Sequence, residues 1–370
     1  MEKNIAIIGS TGSIGRQTLE VIEADAKHYR VAALACRGNI ALLEKQIRKF
    51  RPTLVVVYDR AAASRLQARL DSSSARASFA NRPVRIVSGA AGLIELAAMK
   101  NTDTIVFAAS GIESLPALYA AIKARKGIAL ANKELLVCEG KRIMAAARKS
   151  SAEIIPVDSE HSAIFQCLRG ENPGDVEKII LTCSGGPFYG RAIKDLKKIT
   201  PEEATRHPVW KMGKEISLDS ATLMNKAFEI IEAAHLFGLR SDRIDVVIHP
   251  ESIVHSLVQF KDGSIKAQLS SPDMRHHIAY ALAYPNRLKT NLPALNLADT
   301  KNLSFFRPDY SIFKGPLLAY EALKKGQSHQ AALMSANKIV RQKFMNKEIS
   351  FDRIYPEMKK ILRGARLISR

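Results

Sequence analysis

Asn4-Ile5-Ala6-Ile7-Ile8-Gly9-Ser10-Thr11-Gly12-Ser13-Ile14-Gly15 stands near the start of the chain, and its reading decides the fold. Ile5, Ala6, Ile7 and Ile8 are uninterrupted apolar residues, as a strand buried on both faces requires. Glycines follow at 9, 12 and 15, and residues 17–23 continue as a helix with Leu19 and Ile22 on one side. Strand, glycine-rich turn and helix together open a dinucleotide-binding unit. Glycine lets the backbone approach a pyrophosphate, and the helix N-terminus turns free N–H groups and a positive dipole end toward it. The GxxGxxG spacing varies on GxGxxG and could also make a purely structural tight turn. Its place between a strand and a helix favours nucleotide binding.

Working outward, a second strand over 29–35 ends in Cys36-Arg37-Gly38-Asn39. An NAD enzyme carries an acidic residue here for the ribose 2′-hydroxyl. The first charged group is instead Arg37, whose guanidinium suits a 2′-phosphate, so NADP is expected over NAD. Strands over 53–58, 84–87, 104–108 and 127–130, with intervening helices such as 115–124, predict a Rossmann-like doubly wound parallel sheet over residues 1–150. Residues 60–82 read as a helix and surface loop without site chemistry. Asn132-Lys133-Glu134 follow the strand at 127–130, either as a helix start or as ligand contacts at the carboxyl end of the sheet.

At 370 residues the chain exceeds one average domain. Its four cysteines (Cys36, Cys138, Cys167, Cys183) are far apart and form no CxxC pair, which argues against a disulfide scaffold and a cysteine zinc site and fits a reducing compartment. The first strand begins beside Met1, leaving no room for a signal peptide, and no run of about 18 apolar residues is present to span a membrane. The cytoplasm is the expected location, with no membrane partner. The formal charge of +20 favours anionic partners such as phosphorylated metabolites or NADP. The basic residues carry no nucleic-acid-binding signature, and those near the end (Lys338, Arg341, Lys343, Lys347, Lys359, Lys360, Arg363) alternate with apolar residues as on a solvated helix face. No nucleic-acid partner is expected.

Beyond residue 150 the pattern changes. Strands over 154–157, 178–183 and 246–249, and a hairpin of 254–260 and 265–269 turning at Asp262-Gly263, predict a central α+β catalytic domain over 151–285. Asp158 and Glu160 follow the strand at 154–157, where extended backbone would point both carboxylates the same way toward a hard divalent cation. Asp158-Ser159-Glu160 could equally cap a helix. Residues 184–214 run from Ser184-Gly185-Gly186 to His207-Pro208-Val209-Trp210-Lys211-Met212-Gly213 and read as a lid with an apolar tip, or as a surface loop with Trp210 in the core. Ser220, Asn225, Lys226 and Glu229 are expected along one long helix over 214–236. The first three could hold a phosphate and Glu229 could join a metal site; a solvated Lys226–Glu229 pair is the plainer use. Residues 286–312 read as a linker and 313–370 as a small helical C-terminal domain.

GSTGSIG, ALANKE, VDSEHSAIFQ, SGGPF, HPVWKMGKEISLDSATLMNKAFEIIEA and HPESIVHSLVQFKDGS, in that order, resemble the 1-deoxy-D-xylulose 5-phosphate reductoisomerase family. The block 207–233 is long and non-repetitive, hence specific, and the similarity covers nearly the whole chain. The resemblance implies rearrangement of 1-deoxy-D-xylulose 5-phosphate to an aldehyde, then reduction by NADPH to 2-C-methyl-D-erythritol 4-phosphate, with a divalent cation, in isoprenoid precursor synthesis. By the same resemblance Asp158, Glu160 and Glu229 hold Mg²⁺ or Mn²⁺, and Ser184, Ser220, Asn225 and Lys226 hold the substrate phosphate. It also matches Ser159, His207 and Lys133 to other substrate contacts, and Trp210 and Met212 to the lid. Glu160, His207, Lys133 and Glu229 are the residues expected to carry the chemistry. Thr11, Gly12, Ser13, Ile14, Asn39, Asn132, Glu134 and Gly213 match NADPH contacts, beside Gly9, Arg37 and Gly38 from the turn and second strand. A homodimer is implied. Arg37-Gly38 reverses the family's usual order of glycine and basic residue, and Lys338 replaces an expected acidic residue. A simple metal-assisted NADP-dependent dehydrogenase of a phosphorylated ketose is the alternative.

Overall fold

The computed structural model describes residues 2–71, 84–191, 193–206, 209 and 213–368. Two compact units divide the chain: Met1–Leu135 with Arg142–Asp158 and Asp273–Leu292, and Leu136–Lys141 with Ser159–Pro272 and Pro293–Arg370.

In the first unit, seven strands form one parallel sheet in the order β4-β3-β2-β1-β5-β6-β7. They are β1 (Lys3–Ile8), β2 (Tyr29–Cys36), β3 (Leu54–Val57), β4 (Arg85–Ser88), β5 (Thr104–Phe107), β6 (Gly127–Leu130) and β7 (Ile154–Pro156). Every residue of β3 and β5 is buried, because helices cover both faces of a parallel sheet. The helices are α1 (Ser13–Ala24), α2 (Ile40–Phe50), α3 (Arg60–Asp71), α4 (Gly89–Ala97), α5 (Leu115–Lys123) and α6 (Lys133–Ser150), the last kinked at Glu139. Chain direction across the sheet reverses between β1 and β5, which pair from Ile5↔Thr104 to Ile8↔Phe107. A crevice opens at such a switch point, and Gly9 lies at its edge.

The second unit has a four-stranded mixed sheet in the order β11-β10-β8-β9. Its strands are β8 (Val176–Cys183), β9 (Ile244–Ile248), β10 (Val254–Phe260) and β11 (Ile265–Leu269), with β8 and β9 parallel and the β10–β11 hairpin antiparallel. Helices α7 (Ser159–Cys167), α8 (Pro201–Ala204), α9 (Lys214–Ala221) and α10 (Met224–Phe237) belong to it, whereas α11 (Met274–Ala283) belongs to the first unit. Helices α12 (Gly315–Lys325), α13 (Gln327–Met345) and α14 (Ile354–Ile368) complete the chain.

Two expectations need correction. The boundaries at 150 and 285 shift because β7 hydrogen-bonds in parallel to β6, Ile128↔Ile154 through Leu130↔Pro156. Residues Asp273–Leu292 likewise join the first unit, where Lys3 Nζ donates to the carbonyls of Leu282 and Tyr284, each at 3.0 Å. Second, residues 214–236 form two helices. Leu223 takes a left-handed φ of 51° between α9 and α10, and the Tyr355 hydroxyl donates to the Thr222 carbonyl beside it. The expected C-terminal helices are present, and their Leu318, Leu333, Val340, Phe344 and Met358 share one buried cluster with Ile179 and Leu181 of β8 and Ile230 of α10.

Phe344 is 1% exposed and meets Phe351 edge-on at 5.7 Å between ring centroids. Phe344→Ala should cost about 3–5 kcal/mol. In denaturant unfolding, loss of the shared core lowers the midpoint of the whole second unit; an early transition confined to a helical tail would contradict it.

Candidate active site

The nucleotide crevice is built by glycine geometry. Gly9 has φ +97°, and a Cβ there would stand 2.5 Å from the backbone nitrogen of Ala109, so β1 can turn this close to the end of β5 only without a side chain. Thr11 lies in the turn, and Ser13 and Ile14 begin α1. The N-cap is Gly12, which offers no side-chain bond, so the first-turn N–H groups of α1 are left to an anion rather than to a cap. Cys36, Arg37, Tyr58 and Glu113 line the adjoining cleft. Burial raises the Cys36 thiol to about 11, so it stays protonated and is no nucleophile at neutral pH.

Several expected cofactor residues also have structural work. Gly38 stands exposed before α2, and Asn39 caps that helix by accepting from Leu42 N at 3.3 Å. Asn132 caps α6, accepting from Glu134 N at 3.1 Å, and donates 2.8 Å to the Gly111 carbonyl. Glu134 in turn accepts from Gly111 N, so both residues pin the loop after β5 beside the end of β6. Lys133, between them, is salt-bridged to Asp158.

In the second unit, carboxylates and a lysine converge from two helices. Glu160 lies in the first turn of α7, not on extended backbone as the strand reading expected. Lys226 and Glu229 are one turn apart on α10, where they are 2% and 1% exposed. Lys226 Nζ lies 2.9 Å from Glu160 Oε1 and also hydrogen-bonds Glu229, whose other oxygen accepts from Asn225. The solvated ion pair considered from sequence is therefore a buried one. Burial pulls the Lys226 pKa down, but Glu160 and Glu229 more than reverse this, and the ammonium is held above its ordinary value. Ser159 is buried at the head of α7, directly after Asp158, and donates to Glu160.

Ser220 lies in the last turn of α9, close to the break. Gly186, at φ +68°, has room for no Cβ because the Ser220 carbonyl would be 2.8 Å away, so the Ser184-Gly185-Gly186 loop lies on the end of α9. Ser184 Oγ accepts from Gly186 N at 3.2 Å. Gly213 is the N-cap of α9. His207, Trp210 and Met212 lie outside the described residues. In the lid segment, 3₁₀ turn Ile193–Lys198 and α8 are present, the latter with a Thr200–Glu203 capping box.

Two supports went unread in the sequence. His161 is fully buried, donates from Nε2 to the Glu229 carbonyl at 2.9 Å, and has Nδ1 3.6 Å from Glu232. It thereby ties α7 to α10 where their carboxylates meet. Asp219, next to Ser220, is held by Asn337 at 2.9 Å and Arg341 at 2.8 Å from α13. The i,i+3 spacing of Glu229 and Glu232 could have flagged the first; nothing local could flag a pair separated by more than a hundred residues.

A nucleotide crevice with an uncapped helix end, joined in one chain to a carboxylate and lysine cluster, is the equipment of a nucleotide-dependent enzyme acting on anions. Models of 1-deoxy-D-xylulose 5-phosphate reductoisomerase match residues 5–140, and its C-terminal domain models match 154–237 and 269–369. The chain is 45% identical over 349 residues to the reductoisomerase of Lachnospira eligens, covering 94% of this chain and 89% of that one. Identity to the Heliobacterium modesticaldum enzyme is 48% over 351 residues, 95% and 88% of the two chains. Among solved structures, the Zymomonas mobilis reductoisomerase in complex with NADPH superposes with a TM-score of 0.90 at 37% identity, covering 98% of this chain and 92% of that one. A reductoisomerase in complex with NADPH, fosmidomycin and magnesium gives 0.90 at 39% identity, with 97% and 89% covered. The chain belongs to the 1-deoxy-D-xylulose 5-phosphate reductoisomerase family.

Lys226→Met removes the ammonium that pairs with two largely buried carboxylates. Stability should fall by about 3–5 kcal/mol, the scale for breaking a buried ion pair. Guanidinium unfolding in the presence of a chelator measures it, and an unchanged midpoint would contradict the pairing.

Proposed function

We propose that the protein converts 1-deoxy-D-xylulose 5-phosphate to 2-C-methyl-D-erythritol 4-phosphate, oxidising NADPH with the help of a divalent cation, as a step in isoprenoid precursor synthesis. Family membership along nearly the whole chain carries this reading. The alternative of a simple ketose phosphate dehydrogenase is not favoured, since no relative named above carries that activity.

The donor chemistry fits a hard cation: Glu160 and Glu229 converge on one point, the peptide chain joins Asp158 to the head of α7, and all three offer carboxylate oxygens. We assign Asp158, Glu160 and Glu229 as its ligands. Mg²⁺ is the ion named in the solved relatives, and Mn²⁺ is an equally hard substitute. When bound, it would supply Lewis acidity toward the substrate's carbonyl and hydroxyl oxygens. NADPH would supply the hydride from a seat formed by Gly9, Thr11, Gly12, Ser13, Ile14, Arg37, Gly38, Asn39, Asn132, Glu134 and Gly213.

The chain's own residues have separable tasks. Ser184, Ser220, Asn225 and Lys226 bind the phosphate, far from the bonds that change, so their binding energy goes into orienting the ketose. Ser159 and Lys133 contact the substrate, with His207 as a further contact. Trp210 and Met212, in the 184–214 lid, would keep water from the aldehyde before reduction. A homodimer is supported by β11, an edge strand with Ile265 half exposed, as a surface open to a second chain. A cytoplasmic place is in keeping with four dispersed cysteines outside any disulfide and with no helix among the described residues long and apolar enough to cross a membrane.

NADPH consumption should require both the ketose phosphate and Mg²⁺; turnover undiminished by a chelator would sink the reading. Carbon NMR of the product should show the branched skeleton, where a simple dehydrogenase would leave it linear. Glu160→Gln should lose about 100-fold or more in turnover, the scale of removing an electrostatic stabiliser. Its NADPH affinity should stay near wild type, since joint loss would mean misfolding.

A further inference from the structure

Glu113 lies in the turn before α5 and shares the nucleotide cleft with Gly9, Cys36, Arg37 and Tyr58. Its Oε1 stands 3.9 Å from Arg37 Nη1. Both side chains reach solvent, the arginine at 83% and the glutamate at 43% exposure, so the pair is screened and easily exchanged. Arg37 is nevertheless the first cation after β2, where a dinucleotide fold meets the adenosine ribose. The one guanidinium lining this cleft among the described residues is thus approached by a carboxylate from the neighbouring loop. That loop is pinned: Gly111 is bound through both its N–H and its carbonyl, to Glu134 and Asn132 respectively.

We propose that Glu113 is a cofactor-specificity residue, competing with the ribose 2′-phosphate of NADPH for the Arg37 guanidinium and so narrowing the preference for NADPH over NADH. This rests on the NADPH reading above. A phosphate carrying close to two negative charges, brought to Arg37, must displace the Glu113 carboxylate or accept it as a like-charged neighbour. NADH carries a hydroxyl at that position and meets no such opposition. Glu113 is thus a determinant of discrimination and takes no part in hydride transfer.

Dissociation constants for NADPH and NADH, measured by calorimetry without substrate, test the idea. Glu113→Gln should tighten NADPH about three- to tenfold and leave NADH within about twofold, with the gain shrinking as salt rises. Glu113→Asp, which keeps the charge, should retain most of the wild-type ratio. Arg37→Gln should weaken NADPH selectively and abolish the gain from Glu113→Gln in the double variant. An unchanged NADPH constant in Glu113→Gln, or equal shifts for both cofactors, would overturn the proposal. Wild-type protein that binds neither cofactor would overturn the NADPH reading itself.

Discussion

Lys226, buried between Glu160 and Glu229, is the interaction on which the architecture of the second unit turns. Removing a lysine and two carboxylates from water costs several kcal/mol per ion, and their attraction repays this only in good geometry. The geometry demands that α7 and α10 meet at one height and in one orientation. His161 holds the two helices there through the Glu229 carbonyl. Around the charges, an apolar cluster of β8, α10 and the C-terminal helices supplies the burial that makes the demand affordable. A polar site kept dry in this way has strong local electrostatics, which is what recognition of a small anion or a hard cation needs.

The break between α9 and α10 serves the same end. A single helix over 214–236 would have set Ser220 at a fixed rotation from Lys226 along one cylinder. With Leu223 left-handed, α9 changes course, and Ser220 instead meets the Gly186 backbone and the Ser184 loop. Asp219 then anchors α9 to α13 through Asn337 and Arg341. Burial raises the Asp219 pKa, against the pull of Arg341, so a carboxylate that would be costly alone persists by being paired. The C-terminal helices are in this sense part of the site's support.

Legibility differed between the two units for a physical reason. In the first, each residue's role follows from near neighbours in sequence: apolar runs make parallel strands, and Gly9 must turn beside β5. Most strand limits there fall within a residue or two of those expected. In the second, boundaries were misplaced because β7 reads locally like any short strand, and only its pairing with β6 assigns it to the first sheet. The C-terminal helices likewise have ordinary amphipathic patterns that do not say what they cover.

From the sequence alone came the doubly wound nucleotide fold, the carboxylate and lysine residues of the site, and the family, because glycine spacing, hydrophobic period and long specific motifs are local properties of a chain. Tertiary structure alone decided that Lys226 is buried rather than solvated, that α9 and α10 are separate helices, and that Asp219 leans on α13. It alone also set Glu113 opposite Arg37. Each of these depends on the burial of a charge or on contact between residues distant in sequence. Neither is encoded in any short window, since the cost of burying a charge depends on what the rest of the chain brings to meet it.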